Sequence, residues 1–327
     1  MRREKKIIAV VICCIFMSVA SSFAEEVFPS KPVQIIVPFA AGGSLDLISR
    51  ILSEKMRESL GQPFLVVNKP GATGAIASGF VATSKPDGYN IYASSGAAFG
   101  YLHIMNPSFT HTLNDFSAVA AFARFPQVVV VQKDLPVKNF AELVAYAKKN
   151  SGSLSYCSTG YASGDHLSFE NLKLAVGIPN DIQHIPYAGV APAITALLGN
   201  QVQIGMLPFS ALIVKQVESG AIRALAVLSP KRFPVRPDIP TILEEGYPEL
   251  VTLFYLSFWA PAKTPAPVVK KLEEATRKIT EDKEIREKVE KMYHEVEFLN
   301  SQDLKKYAET QVQKWGVVIK KFNITIK

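Results

Sequence analysis

Val33-Gln34-Ile35-Ile36-Val37-Pro38-Phe39-Ala40-Ala41-Gly42-Gly43-Ser44-Leu45-Asp46 is the stretch from which the fold is read. Its first five residues are mostly β-branched and stop at a proline, which is the length and make-up of a buried strand. The Gly-Gly-Ser loop leads into Leu45, Ile48, Leu52 and Met56, spaced to share one helical face and ended near Gly61. Phe64 to Val67 reads as a second strand. Pro70-Gly71-Ala72-Thr73-Gly74 opens a helix reaching about Ser84, and Asn90 to Ala93 is a third strand ending in Ser94-Ser95-Gly96. Strand, loop and helix in steady alternation argue a parallel sheet with crossover helices.

A long extended stretch from Phe116 to Gln132, broken at Pro126, separates this unit from a second one with the same rhythm. Asn139 and Glu142 are spaced as a capping box ahead of Phe140, Leu143, Val144 and Ala147. Leu154 to Cys157 is a strand ending in Ser158-Thr159-Gly160, and Gly164-Asp165-His166 opens the next helix. Ile182 to Pro186 is a strand ending at Tyr187-Ala188-Gly189. Val202 to Met206 and Arg223 to Leu228 are strands around a helix near Ala211 to Ser219. A proline-rich connection follows, with Pro230, Pro234, Pro237 and Pro240, and the C-terminal part reads as helical, with one face formed by Val268, Leu272, Ala275 and Ile279 and another by Leu304, Ala308, Val312, Trp315 and Ile319.

The chain has 327 residues, 48% hydrophobic and 20% charged, which excludes a disordered, collagen-like or coiled-coil protein. Arg2, Arg3, Lys5 and Lys6 precede an apolar run from Ile7 to Ala20 and a small-x-small site at Ser22-Phe23-Ala24. That run is too short to span a bilayer core of about 30 Å and reads as an export signal cleaved after Ala24, giving a periplasmic protein. Four of the basic residues behind the formal +7 leave with it, so nothing favours nucleic acid. Cys13 and Cys14 leave too. Cys157 remains alone, so no internal disulfide is expected.

In an open parallel sheet, ligands sit beyond the carboxyl ends of the strands. There the first unit carries Gly42, Gly43 and Ser44, and the second Ser158, Thr159 and Gly160. Glycine allows close backbone approach, and free N–H groups at a helix start favour an anion. Two such loops facing each other could grip a small carboxylate. Each loop could equally be a plain tight connection; Asp46 could cap its helix; His166 and Tyr187 could be packing; Cys157 could be a small buried residue. There is no phosphate loop, dinucleotide fingerprint or nucleophile elbow, and the five histidines lack ligand spacing, so neither metal nor cofactor is expected.

At these loops the chain resembles the substrate-binding receptors of tripartite tricarboxylate transporters, the Bug family. The resemblance is carried by the run Pro29 to Asp46, by Val67 to Gly74, Lys85-Pro86-Asp87-Gly88-Tyr89, Tyr156 to Gly160, Ile185 to Gly189 and Phe258 to Pro265. It implies an α/β, two-lobed periplasmic binding protein (type II-like), each lobe a mainly parallel sheet flanked by helices, with a hinge of crossover strands. The expected lobes are 25–125 with 230–327, and 126–229; the second crossing falls between 229 and about 254. The resemblance further implies a non-catalytic monomer that binds a small organic acid and delivers it to a two-subunit membrane permease. Expected ligand-binding residues are Phe39, Ala41, Gly42, Gly43, Ser44, Asp46, Ser95, Ser158, Thr159, Gly160, Gly164, His166 and Tyr187. Gln203, Leu207 and Pro208 stand where the family usually has acids, which argues for a ligand without an ammonium group. Two alternatives are an exported hydrolase or transferase using Cys157 or Ser158 with His166, and a ligand sensor docking on a membrane signalling protein.

Overall fold

Val33, Ile35, Ile36 and Val37 are fully buried in β1 (Val33–Val37), the centre of a three-stranded parallel unit. The computed structural model describes residues 28–179 and 181–326; the expected leader, with Cys13, Cys14 and the Ala24 cleavage site, lies outside the described residues. From β1 the chain turns at Gly42-Gly43 into α1 (Ser44–Leu60), which buries Leu45, Ile48, Leu52 and Met56. Gly61 ends it at a φ of +75°, a left-handed conformation that costs glycine little. β2 (Phe64–Asn68), α2 (Ala75–Ala82), β3 (Asn90–Ser95) and the single turn α3 (Leu102–Met105) follow. β2 and β3 flank β1 in parallel, with Ile35 opposite Val66 and Ile91.

β4 (Phe116–Gln132) then leads to α4 (Phe140–Asn150), β5 (Ser155–Ser158), α5 (Gly164–Val176), β6 (Gln183–Pro186), α6 (Val190–Leu198), β7 (Ile204–Pro208), α7 (Ala211–Glu218) and β8 (Ile222–Val227). The chain finishes with β9 (Leu253–Pro261), α8 (Ala266–Glu281), α9 (Lys283–Glu290) and α10 (Ser301–Lys321). The strand order is β2-β1-β3-β9-β4-β7-β5-β6, with β8 also paired to β4. β5 is parallel to β6 and β7. The antiparallel pairs lie in the middle, where β9 joins β3 to β4 and β4 joins β7 and β8.

One expectation changes here, and one strand was not foreseen. The stretch from Phe116 to Gln132 is not broken at Pro126 but stays one strand. Its first part, to Pro126, pairs with β9, and its second part, from Gln127, pairs with β7 and β8. Proline has no N–H to give a ladder, and Pro126 sits where the strand changes neighbours. Its carbonyl still accepts the Phe209 N–H at 3.0 Å. The strand not foreseen is β9, which lies between Pro240, the last proline of the proline-rich connection, and the first helical face at Val268. Every residue of β9 from Phe254 to Pro261 is buried, so it shows no alternation.

Packing follows the period of two. Val129 and Val131 enter one core with Tyr156, Phe169 and Met206, while Val128 and Val130 face another with Leu197 and Leu207. Phe233 and Ile239, and Ile242 and Leu250, pack into these same two cores. The first sheet has its own core of Ile35, Leu45, Ile48, Leu256 and Phe258, closed by Trp315 of α10. Among the described residues no helix is long and apolar enough to cross a membrane.

Candidate functional site

Two adjoining cavities of about 260 and about 420 Å³ share Phe39, Ser95, Phe125, Thr159 and Pro208, and together form one cleft. Its walls are the carboxyl ends of β1, β3, β5, β6 and β7 and the loops that follow them. The first turns of α1, α5, α6 and α7 open into it through Gly43, Ser163, Gly189 and Ser210, the N-cap residues of those helices. First-turn N–H groups have no acceptor inside their own helix and sit at the positive end of its dipole. Among the described residues that line the cleft there is no Lys or Arg. The polar groups it offers are backbone amides and hydroxyls together with Asp46, Asp165, Gln127 and His294.

The floor is apolar. Phe125 of β4 and Phe254 of β9 stack at 5.8 Å, and Phe254 also stacks on Trp315 at 6.4 Å. Phe254 is wedged between two glycines: a Cβ on Gly96 would lie 2.8 Å from its ring and one on Gly164 2.5 Å. Gly164→Ala should therefore lower stability by about 1–3 kcal/mol through overpacking. Gly43 has an ordinary φ of −74°, and a Cβ there would meet nothing nearer than the Ala40 carbonyl at 3.8 Å, so Gly43→Ala should change stability little. Urea denaturation of the two variants checks both outcomes.

Of the expected site residues, Phe39, Gly43, Ser44, Asp46, Ser95, Thr159, Gly160 and Gly164 line the cleft. Ala41, Gly42, Ser158, His166 and Tyr187 are not in either lining. Gly42 turns its N–H to Asp46 Oδ2 at 2.9 Å. Ser158 is fully buried, donating to Gly160 O at 2.9 Å and lying 2.7 Å from His184 Nε2. His166 is buried and stacked on His184 at 3.9 Å, and its Nδ1 accepts the Ala162 N–H. Burial first, then His184 and Lys173, pushes His166 down to about 3, and burial pushes His184 down to about 4. The Tyr187 N–H donates to Ser158 O, and its side chain packs on the core beneath α6. The Cys157 thiol is buried and pushed up to about 12. The residues named for nucleophilic chemistry thus lie under the cleft wall.

Each donor loop is braced by a carboxylate of the chain itself. Asp46 accepts from Gly42 N–H, from Arg50 Nη2 at 2.9 Å and from Asn68 Nδ2 at 2.9 Å. Burial would raise its pKa, but the bonds from Arg50, Gly42 and Asn68 outweigh this and hold it below the usual range. In the second loop, Thr159 gives its N–H to Asp165 Oδ2 at 2.6 Å and its hydroxyl to Oδ1 at 2.9 Å. Burial raises Asp165, opposed by bonds from Ser163 and Thr159.

Sequence reasoning missed Asp165, Gln127, Ser210 and the aromatic floor of Tyr101, Phe125 and Phe254. For Asp165 a signal existed: an acid in the first turn of a helix, six residues after a loop threonine. Gln203, which stands where an acid was expected, accepts the Ser155 N–H at 2.9 Å and so ties β5 to the start of β7.

The family model described as tripartite tricarboxylate transporter family receptor matches residues 48–324. The chain is 34% identical over 306 residues to a UPF0065 protein of Bordetella pertussis (strain Tohama I), covering 93% of this chain and 94% of that protein. It is similar to the solved structure of periplasmic binding protein BugD, with 33% identity, a TM-score of 0.74, and 92% of this chain and 100% of that one covered. It is also similar to Rpa4515 of R. palustris solved with adipate, with 29% identity, a TM-score of 0.79, and 91% and 99% covered.

Proposed function

Since the chain belongs to the tripartite tricarboxylate transporter receptor family, a family of solute-binding proteins, we propose that it captures a small di- or tricarboxylate or aromatic acid in its cleft and hands it to a two-subunit membrane permease. The observation that carries this reading is the convergence of four helix N-termini on a cleft without Lys or Arg among its described lining. The donors fall at two ends. Gly43 to Leu45, Gly189, Val190 and Ser210 belong to the wider cavity, and Gly160, Ser163 and Gly164 to the narrower one, with Phe125 in both. Adipate, held by the R. palustris relative, has this pattern of two carboxylates and an apolar spacer.

In this reading the protein works as a monomer in the periplasm after cleavage at Ala24. One lobe runs from residue 126 to about 252, near the late end of the expected range for the second crossing, because Phe233, Ile239, Ile242 and Leu250 share the cores of β4, β7 and β8. The remaining described residues form the other lobe, and closure about β4 and β9 traps the ligand.

Calorimetry and thermal shift against α,ω-dicarboxylates and aromatic acids test the proposal. A ligand at one hundred times its Kd should add about 2.7 kcal/mol of stability. Mass spectrometry of what the purified protein releases on denaturation should give a carboxylate. A panel in which no carboxylate binds, with none released, would overturn it.

A further inference from the structure

Asp165 and its counterpart Asp46 play the same part in their loops but differ in charge balance. Asp46 is paired with Arg50, whereas Asp165, 2% exposed, is in no ion pair among the described residues. Both Asp165 oxygens accept from Thr159, yet a carboxylate has about four acceptor directions, so acceptor capacity remains even beside the Ser163 hydroxyl. Asp165 lines the narrower cavity. Gln127 lines it too, is also 2% exposed, and its Oε1 has no hydrogen-bond partner among the described residues. Tyr101 stands close enough for Asp165 to raise its phenol pKa further. A buried acid without an ion pair and an unpaired buried acceptor, lining one cavity, are costly unless a donor arrives.

We propose that Asp165 and Gln127 form an ammonium-binding subsite, so that the carboxylate taken by this cleft also carries an amino group. The inference rests on the carboxylate reading above: the acid end is held by the helix starts around Gly43, Gly189 and Ser210, and the ammonium points to Asp165. An ammonium presents three donors and a full positive charge, which meets both the free acceptor directions and the uncompensated carboxylate. The missing acids at Gln203, Leu207 and Pro208 argued against such a ligand; the first turn of α5 supplies one instead.

The test compares matched ligands that differ in the amino group alone: glutamate against glutarate and 2-aminoadipate against adipate, by calorimetry on the mature protein. The amino member of a pair should bind at least about tenfold tighter, the worth of one charge-assisted hydrogen bond. Asp165→Asn, which keeps an oxygen for Thr159, should erase that preference by weakening the amino member while leaving the plain diacid equal or tighter. Gln127→Leu should shift it in the same direction by less. If the plain diacids bind better to the unmodified protein, or if Asp165→Asn weakens both members equally, Asp165 serves as a loop brace and the inference is wrong. Failure of both series in a protein that binds another, amino-free carboxylate overturns this inference alone; failure of the whole carboxylate panel overturns the reading beneath it as well.

Discussion

Lys173→Met should remove about 3–5 kcal/mol of folding stability, the usual cost of stripping one partner from a buried ion pair. Lys173 Nζ lies 2.7 Å from Glu170 Oε2 inside α5, with side-chain exposures of 3% and 6%. Glu170 Oε1 accepts the Tyr156 hydroxyl at 2.6 Å, and the ammonium stands 4.9 Å over the Phe322 ring, tying α5 to the end of the chain. Without the lysine, Glu170 is left as a charge in an apolar core. The double variant Glu170→Met/Lys173→Met should recover most of the loss, because apolar side chains of similar volume replace the whole pair. Urea denaturation of both singles and the double reads the coupling directly. A Lys173→Met loss under about 1 kcal/mol would show that water reaches the pair.

The second large effect is a loss of stability in acid. His166 and His184, stacked face to face, are neutral in the folded protein, with pKa values of about 3 and about 4 against 6.5 for a free imidazole. Below pH 6.5 the unfolded chain binds protons that the folded chain refuses. Stability is therefore complete above pH 6.5 and falls with pH until the folded values are reached. Between pH 6.5 and 4.5 the loss should be on the order of 2 kcal/mol for His166, and less for the partly exposed His184. Replacing both by Gln should flatten the dependence over that window, as measured by urea denaturation at pH 7 and pH 4.5. An equal acid loss in the double variant would assign the effect to other groups.

Local signals carried most of the fold. The β-branched run of β1, the glycine stop at Gly61 and the Asn139–Glu142 pair each act within a few residues, and the structure uses each. Asn139 accepts the Glu142 N–H at 2.8 Å, although Glu142 itself reaches back to Lys138 N–H. β9 was illegible because a strand buried on both faces has no alternation, and its partners β3 and β4 lie more than a hundred residues upstream. In the site, the glycine and serine loops were legible as helix starts on strand ends. For Asp165 only its place in a first helical turn was legible; that it braces Thr159 and has no ion pair among the described residues depends on the packed surroundings. Phe125 and Phe254 come together through β4–β9 pairing, another long-range fact.

The uninterrupted course of β4 through Pro126 sets the mechanics of the molecule. Hydrogen bonds hold it to β9 on one side of that proline and to β7 and β8 on the other, so sliding of the halves past each other would break a ladder. Torsion spread over a few peptide units breaks none. The closure proposed above is then angular, small beside the pivot and largest at the rim, where Phe39 stands 47% exposed on its loop. A fluorophore or spin label at that rim would travel farther on ligand uptake than one placed beside Phe125.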